Sequence, residues 1–300
     1  MSLVRYRTAR VNGLDIFYRE AGRKGNPVVL LLHGFPSSSF MFRDLIPMLA
    51  NDHHVVAPDY PGFGQSSFPG RGEFSYTFQN LAEMVGGLLD TLSIERFAMY
   101  IQDYGAPVGL RLALMRPESV AGLIVQNGNS YEEGLSDEWL PLKSFWESPS
   151  DQAREALRGW LTEDGIRMQY LAGVSESRRE VFSPDTWTLD WALLSRPGNI
   201  DVQLDLFYDY RTNVEMYPEF QRFFREYRPP TLVVWGKHDP FFTTDGARAY
   251  LRDIPDAEIH LMEGGHFLLE SHLEATGRLI LDLLQRTRTA TPSGYAVRNS

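Results

Sequence analysis

Short runs of purely apolar residues alternate with segments of helical spacing along most of this chain, and this alternation limits the fold more than any other feature. A strand buried on both faces of a parallel sheet needs apolar residues at nearly every position. Runs of this kind are Val28–Leu32, Val55–Pro58, Phe97–Ile101, Val120–Val125, Thr231–Trp235 and Glu258–Met262. Helical spacing is found in Phe78–Leu92, Gly105–Met115, Thr244–Leu251 and His266–Arg286. The order predicts an α/β fold, with a mostly parallel central sheet and helices on both faces.

Two features modify this pattern. An Asn12-Gly13 pair near the start, between segments that alternate in polarity, predicts a β-hairpin. After Asn127 the strands stop, and about a hundred residues rich in Trp, Tyr, Arg and Glu follow with helical segments. Such a length is far above that of an ordinary loop. We therefore predict a core divided by a helical cap and a disordered tail, in these ranges: core 1–128 and 229–288, cap 129–228, tail 289–300.

The composition excludes several classes of protein. The net charge of −10, with both signs mixed along the chain, argues against the basic patch that nucleic acid needs. The absence of cysteine excludes disulfides and a thiolate nucleophile. No signal peptide is visible, and the longest aliphatic run, Val28–Leu32, is far shorter than a membrane span, so we expect a cytoplasmic protein with no membrane partner. No metal-ligand spacing, phosphate loop or dinucleotide fingerprint is present, and no cofactor or metal is expected.

Polar and glycine-rich segments follow the predicted strands, at the sheet edge where ligands bind in such folds. The segments are HGFP (His33–Pro36), DYPGFGQSS (Asp59–Ser67), QDYGA (Gln102–Ala106), GKHDPFF (Gly236–Phe242) and GGHF (Gly264–Phe267). Asp103 stands at a sharp strand-to-helix turn, and Asp239 and His266 come later. This order of nucleophile, acid and histidine is that of the nucleophile-elbow pattern. The alternative roles are helix capping for the two aspartates and core packing for His266.

A carboxylate at the elbow selects a particular kind of electrophile. Attack on an acyl carbon would give an anhydride, a poor intermediate, whereas attack on a saturated carbon gives an ester that water can hydrolyse. Asp103 thus favours substrates such as epoxides and alkyl halides. His266 can deprotonate the water if Asp239 holds its imidazole in the right tautomer. The expected partners are therefore a small apolar organic substrate and water.

The five motifs, in this order, resemble those of α/β-hydrolases with an aspartate nucleophile, the epoxide hydrolases and haloalkane dehalogenases. The resemblance implies the α/β-hydrolase fold, with the cap inserted after the sixth core strand. The natural oxyanion donors are the backbone N–H groups of Phe35 and Tyr104. In some dehalogenases the acid follows the strand before the cap. Here that place holds Asn127 and Asn129, so Asp239 keeps the role, with Glu132 and Glu133 as alternatives.

The choice between epoxide and halide depends on the groups that assist the leaving atom. Epoxide hydrolases use two cap tyrosines, and Tyr170 and Tyr210 stand in segments that resemble theirs, although both could simply pack at the cap–core boundary. The Ile-Gln-Asp elbow is closer to dehalogenases, but Tyr104 stands where their halide-binding Trp is found. A second halide donor of the dehalogenases, an Asn in one subgroup, falls on Phe35, whose side chain cannot donate. Cap residues Trp187 or Trp191 could replace that second donor and line the pocket. We favour epoxide hydrolysis, with dehalogenation of haloalkanes or haloacids next, and an esterase-type hydrolase or a non-catalytic ligand-binding protein as further alternatives.

Overall fold

The computed structural model describes residues 3–289, which form one eight-stranded sheet in the order β1-β2-β4-β3-β5-β6-β7-β8. The strands are β1 (Arg5–Val11), β2 (Leu14–Ala21), β3 (Val28–Leu32), β4 (His54–Pro58), β5 (Phe97–Gln102), β6 (Val120–Gln126), β7 (Thr231–Gly236) and β8 (Glu258–Met262). β1 and β2 pair antiparallel, as do β2 and β4, and all other neighbours are parallel. Asn12 and Gly13 join β1 to β2 with φ of 45° and 83°, as a tight hairpin turn requires. The predicted mostly parallel sheet is confirmed.

Helices cover both faces of this sheet. They are α1 (Leu45–Leu49), α2 (Phe78–Thr91), α3 (Gly105–Met115), α4 (Leu140–Glu147), α5 (Asp151–Ala156), α6 (Glu163–Leu171), α7 (Glu176–Arg179), α8 (Pro184–Leu194), α9 (Asn199–Asp209), α10 (Arg211–Glu215), α11 (Tyr217–Tyr227), α12 (Thr244–Asp253), α13 (Leu268–Ser271) and α14 (Leu273–Thr289). Short 3-10 helices span Ser39–Phe42, Pro117–Ser119, Glu132–Gly134, Asp137–Trp139 and Leu157–Trp160. None of the helices described is long and apolar enough to cross a bilayer.

The continuous apolar runs are explained by two separate hydrophobic cores, one on each face of the sheet. Successive side chains of a strand point to opposite faces. In β3, Leu30 and Leu32 accordingly pack in the core that holds α2 and α3. Val29 and Leu31 pack in the other core, with α1 and α14. Strands with both faces covered cannot alternate apolar and polar residues.

The C-terminal helix differs from the prediction of one helix beginning at His266. His266 lies in the loop between β8 and α13, and the helix is interrupted at His272, whose φ of −133° is not helical. The break lets the chain turn at the strand end before α14 packs along the sheet. The predicted tail was 289–300; Thr289 is the last residue of α14, and residues 290–300 lie outside the described residues.

The segment between β6 and β7 is helical, as predicted, and a buried arginine attaches it to the rest of the molecule. Arg111 of α3 is only 5% exposed. Its Nη2 donates to Thr212 Oγ1 at 2.8 Å and to Asn213 Oδ1 at 2.9 Å, both on α10. Asp209, at the end of α9, accepts a hydrogen bond from the Phe78 backbone N–H at 2.8 Å. These bonds hold α9 and α10 against α2 and α3, next to the turn that carries Asp103.

Candidate active site

Asp103 lies at the turn between β5 and α3. Its φ of 51° is in the left-handed region, an uncommon conformation for a residue with a side chain. This sharp turn directs the carboxylate away from the sheet edge, as a nucleophile elbow does. The residue is only 8% exposed, so its carboxylate is largely shielded from solvent.

The elbow requires a glycine at position 105, where α3 begins. A Cβ atom there would lie 2.2 Å from the Leu32 carbonyl oxygen of β3, a backbone atom that cannot move away alone. We expect Gly105→Ala to lower the free energy of unfolding by about 1–3 kcal/mol, the usual cost of overpacking. Gly72→Ala is the control, because Gly72 is exposed with nothing within 4 Å of its would-be Cβ. If the two variants have equal midpoints of urea unfolding, the contact between position 105 and the Leu32 carbonyl does not require a glycine.

Two backbone N–H groups hold the Asp103 carboxylate. The Phe35 N–H donates to Oδ1 at 2.6 Å, and the N–H of Tyr104 also hydrogen-bonds the carboxylate. These are the two donors predicted from the HGFP and QDYG motifs. They are preorganised around the carboxylate, so a negative charge that develops there meets donors already in place. The other oxygen, Oδ2, is left facing His266.

His266 and Asp239 face the nucleophile from the neighbouring loops. His266 Nδ1 is 2.8 Å from Asp239 Oδ2, and His266 Nε2 is 3.8 Å from Asp103 Oδ2. Because Asp239 is an acceptor, it places the imidazole proton on Nδ1 and leaves a lone pair on Nε2, the ring nitrogen nearer to Asp103. The structure thus brings together the three residues predicted as nucleophile, acid and base.

Asn127 is a member of this arrangement to which the sequence analysis gave no role. It follows β6 with a φ of 44°, and its Nδ2 donates to Asp239 Oδ2 at 2.6 Å. Its Oδ1 accepts from the Gly236 backbone N–H at 3.0 Å, and the Phe241 N–H donates to Asp239 Oδ1 at 2.8 Å. Asn127 therefore orients the Asp239 carboxylate from the position directly after β6. The sequence shows that Asn127 directly follows a predicted strand at the ligand-binding edge. The residue type alone does not indicate which side chain it contacts.

The electrostatics of the site follow from burial and from its charges. Burial raises the pKa of Asp103 to about 6, against the opposing effects of His266 and of the two N–H donors. Burial alone would lower the pKa of His266, but the carboxylates of Asp239 and Asp103 raise it above its usual value. The site therefore holds a carboxyl group and an imidazole whose pKa values are both raised.

A small cavity of about 40 Å³ opens above the carboxylate. It is mostly aromatic, and an exposed glutamate, Glu138, is its only charged lining residue besides Asp103. The other lining residues are Phe35, Tyr104, Trp139, Leu142, Trp160, Gln169, Phe207, Tyr210 and Phe241. Such a lining suits a small apolar molecule and disfavours an anionic one.

The structure places only some of the predicted cap residues at this cavity. Tyr210 lines it, with its ring centroid 6.1 Å from that of Tyr104. Tyr170 does not: its hydroxyl donates to buried Asp190 at 2.5 Å, and its ring stacks on Phe267. Tyr170 therefore cannot protonate a leaving group in this arrangement. Trp187 packs against Tyr170, and neither Trp187 nor Trp191 lines the cavity, whose tryptophans are Trp139 and Trp160.

Within residues 3–289, no group of three or more His, Asp or Glu side chains is arranged to hold a metal ion. The predicted substitutes for the acid, Glu132 and Glu133, lie in a 3-10 helix, and Asp239 makes the contact with His266. Asn129, the other amide of that region, bonds the Tyr131 carbonyl and the Tyr217 hydroxyl.

Comparison with known proteins agrees with this architecture. The family model described as the alpha/beta hydrolase fold matches residues 27–273. The chain is 48% identical, over 91% of its length and 94% of the relative's, to the uncharacterized hydrolase YNR064C of Saccharomyces cerevisiae. A haloalkane dehalogenase of Psychrobacter cryohalolentis is 26% identical over 90% of this chain and 88% of its own. The crystal structure of epoxide hydrolase VrEH1 from Vigna radiata superposes with a TM-score of 0.74 at 22% identity, over 94% of this chain and 98% of that one. With its sheet order, elbow and family match, this chain belongs to the α/β-hydrolase fold family.

Proposed function

We propose that the protein is a hydrolase in which Asp103 attacks a saturated carbon and forms an alkyl ester. The observation that carries this proposal is a carboxylate at the elbow that lines the cavity, with Oδ1 bonded at 2.6 Å to the Phe35 N–H and Oδ2 lying 3.8 Å from His266 Nε2. We take Oδ2 as the attacking atom, so that Oδ1 becomes the ester carbonyl oxygen and keeps its bond to the Phe35 N–H. A serine hydroxyl would suit acyl substrates, whereas this carboxylate suits alkylation.

The second step returns the enzyme to its starting state. His266 takes a proton from water at Nε2, and the hydroxide attacks the ester carbonyl carbon of Asp103. The resulting oxyanion lies at the N–H groups of Phe35 and Tyr104. Its collapse breaks the carbon–oxygen bond to the product alkoxide, which takes the proton from His266, and leaves Asp103 as a carboxylic acid. When the substrate is an epoxide, the Asp103 proton restores the tyrosine that protonated the ring oxygen; otherwise it is lost to water. Asp239 stabilises the transient imidazolium.

The cavity favours an epoxide as substrate, because an opening epoxide makes an alkoxide that needs a proton. Tyr104 and Tyr210 both line the cavity, and burial raises the pKa of each phenol well above its usual value of 10, so both keep their protons. The Tyr104 hydroxyl is buried without a hydrogen-bond partner in the described part of the chain. The hydroxyl of Tyr210 pairs with that of Tyr217. We assign the donor roles to Tyr104 and Tyr210, in place of the sequence-based pair Tyr170 and Tyr210.

Dehalogenation is the second candidate, and the observation that favours it is the indole of Trp160 at the cavity. A halide ion needs aimed N–H donors, usually two. Trp139, the other tryptophan of the cavity, donates its indole N–H to the Phe241 carbonyl at 2.9 Å and is not available. Haloacids fit less well, because Glu138 faces the cavity and no basic residue among those described lines it.

A substrate comparison with the intact protein tests this proposal. The protein is incubated with styrene oxide, 1-bromobutane and 4-nitrophenyl acetate, and diol, bromide and nitrophenol are measured. We expect diol from the epoxide at the highest kcat/KM. Bromide release without diol would establish the dehalogenase instead, and nitrophenol release alone would support an esterase. No turnover of any substrate would support a non-catalytic ligand-binding protein.

Replacing Tyr210 with Phe tests the proton donor. The change removes one hydroxyl from a buried ring and leaves its packing intact. We expect kcat/KM for styrene oxide to fall about 10- to 100-fold, part of the effect usual for general acids. Tyr208→Phe is the matched control, because Tyr208 lies in α9, two residues before Tyr210, and does not line the cavity. An unchanged rate of epoxide opening in the Tyr210 variant would remove this tyrosine from the mechanism.

The pH dependence of the first step follows from the raised pKa of Asp103. The nucleophile must be ionised, so the rate of ester formation should be constant above pH 7 and fall about tenfold per unit below a midpoint near pH 6. Ester formation neutralises Asp103 and so removes one of the two charges that raise the pKa of His266. Rapid-quench measurement of ester formation across the pH range checks this midpoint. A rate that stays constant down to about pH 4 would contradict the raised pKa.

A further inference from the structure

Gln102, the last residue of β5, touches the catalytic base but has no part in the mechanism described above. It is fully buried, and its Nε2 lies 2.8 Å from His266 Nε2. The imidazole proton is on Nδ1, toward Asp239, so Nε2 of His266 presents its lone pair to the Gln102 amide. The amide N–H therefore donates to the same lone pair that must accept a proton from water.

Neutral imidazole has only one lone pair at this nitrogen, so the amide and the water compete for it. The water can bind only if the Gln102 N–H turns away. The amide oxygen, Gln102 Oε1, is available to accept a hydrogen bond from the water. It is buried without a hydrogen-bond partner in the described part of the chain. A buried unpaired oxygen of this kind costs stability and needs an explanation.

Gly34, of the HGFP segment, leaves the space in which this oxygen lies. A Cβ atom at position 34 would be 2.5 Å from Gln102 Oε1 and 2.3 Å from Asp103 Cβ. The glycine therefore admits the amide and the nucleophile side by side. The final torsion of a glutamine side chain has a broad profile, so the amide can reverse without leaving this space.

We propose that Gln102 is a positioning residue for the hydrolytic water and that its amide reverses between the two steps. In the resting state its N–H holds the neutral His266 ring. In the ester state its Oε1 accepts one hydrogen of the water while His266 Nε2 accepts the other. The water oxygen then keeps a lone pair for the ester carbon of Asp103. After proton transfer, Oε1 accepts from the new Nε2–H. This inference rests on the proposed ester mechanism.

The charged groups that face His266 are Asp239 and Asp103. Phe241, Phe242 and Phe267 surround the rest of the ring. Only Asp239 stays charged in the ester state. A neutral amide at position 102 therefore supplies an acceptor to the water without adding a second charge beside the base.

Two substitutions at this position separate positioning from simple packing. Gln102→Met keeps the length of the side chain and removes both polar ends. Gln102→Glu keeps an acceptor and adds a negative charge. Gln126→Met is the matched control: Gln126 pairs with Gln102 in the sheet and is equally buried, but its Nε2 donates to the His266 backbone carbonyl at 3.2 Å and not to the ring.

The measurement is single-turnover reaction of the whole protein with styrene oxide, in which formation and decay of the Asp103 ester are followed by rapid quench and intact mass. For Gln102→Met we expect ester formation within about threefold of wild type and decay slowed at least about 10-fold, so that the ester accumulates. For Gln102→Glu, the added charge should move the pH midpoint of decay upward by at least about one unit. Gln126→Met should change the two steps in equal proportion.

Decay at the wild-type rate in Gln102→Met would overturn the inference. So would equal slowing of both steps with no shift of the pH midpoint in Gln102→Glu, since that result indicates a packing role. Thermal melts of each variant establish that it is folded. If wild type forms no ester at all, the proposed function fails and this inference fails with it. If wild type forms and hydrolyses the ester and the Gln102 variants match it, only the role of Gln102 fails.

Discussion

Replacing His266 with Gln is expected to stop the reaction after its first step, leaving one covalently bound substrate per chain. Ester formation needs ionised Asp103, its N–H donors and, for an epoxide, the tyrosine proton donors, and none of these depends on the imidazole as a base. Ester hydrolysis needs a base 3.8 Å from the Asp103 carboxylate, and glutamine cannot accept a proton there. We expect steady-state turnover to fall by about 10³-fold or more, with stoichiometric adduct by intact mass.

The matched control is the same substitution at His238, an exposed residue next to Asp239 whose ring bonds Glu263 at 2.9 Å. His238→Gln should turn over at close to the wild-type rate and show no adduct. Peptide mapping of the His266 variant should place the adduct on Asp103. Rapid turnover by His266→Gln, or an adduct on another residue, would remove His266 from the second step.

Replacing Asp103 with Asn is expected to have opposite effects on activity and stability. The amide is a poor nucleophile, so turnover should fall by about 10⁴-fold or more, as expected when the nucleophile of a concerted site is lost. No ester should form with any substrate. The loss should be the same for epoxides and halides, because both depend on the same attacking oxygen.

Stability should rise in the same variant. Burial raises the pKa of Asp103 from 3.8 to about 6, so the folded state disfavours the ionised carboxylate that the unfolded chain readily forms. The folded protein therefore loses stability as pH rises from about 4 to 6, and at pH 8 the cost is on the order of 1–3 kcal/mol. Asn avoids this cost, and the melting temperature should increase.

The gain should disappear below about pH 4, where the carboxyl group is protonated in both states. Asp52→Asn provides the control, because Asp52 is exposed in a turn and its substitution should change stability by less than about 0.5 kcal/mol. Thermal melts of the three proteins at pH 4 and pH 8 measure the difference. An Asp103→Asn protein less stable than wild type at pH 8 would contradict the electrostatic account.

The core of this fold could be predicted from sequence, because the apolar pattern of each strand directly reflects its burial in the sheet. Val28–Leu32 is apolar at every position, and only a strand with both faces covered uses such a run. The motifs after the strands could be placed for the same reason, since parallel strands end at one edge of the sheet. The order of strands and motifs therefore predicted that Asp103, Asp239 and His266 lie close together, without any knowledge of their side-chain contacts.

The cap could not be predicted at the same level. Tyr170 and Tyr210 stand on similar helical segments, but which face of a helix meets the cavity depends on how the cap helices pack. The hydrogen bonds of Arg111 and Asp209 fix α9 and α10 so that Tyr210 faces Asp103. The hydroxyl of Tyr170 instead donates a hydrogen bond to Asp190. Helical spacing shows which residues share a face and does not show what that face contacts.

The buried amide side chains of Asn127 and Gln102 show a second reason why the site could not be fully predicted from sequence. Gln102 ends β5 and Asn127 follows β6, and both positions were visible in the sequence. The roles we assign to them depend on the hydrogen bonds to Asp239 and to His266. An amide can donate or accept, so its residue type does not indicate the partner. Contacts of this kind are found only once the side chains are placed.

The central claim, that Asp103 forms the bond to substrate, is tested most directly by a single turnover in water labelled with oxygen-18. Wild-type protein in molar excess over styrene oxide is quenched after one turnover, and the diol and the peptide that contains Asp103 are weighed. The ester mechanism predicts unlabelled diol, with the label in the Asp103 carboxylate, because water attacks the ester carbonyl carbon. Labelled diol with an unlabelled Asp103 would show direct attack of water on the epoxide and would contradict the account.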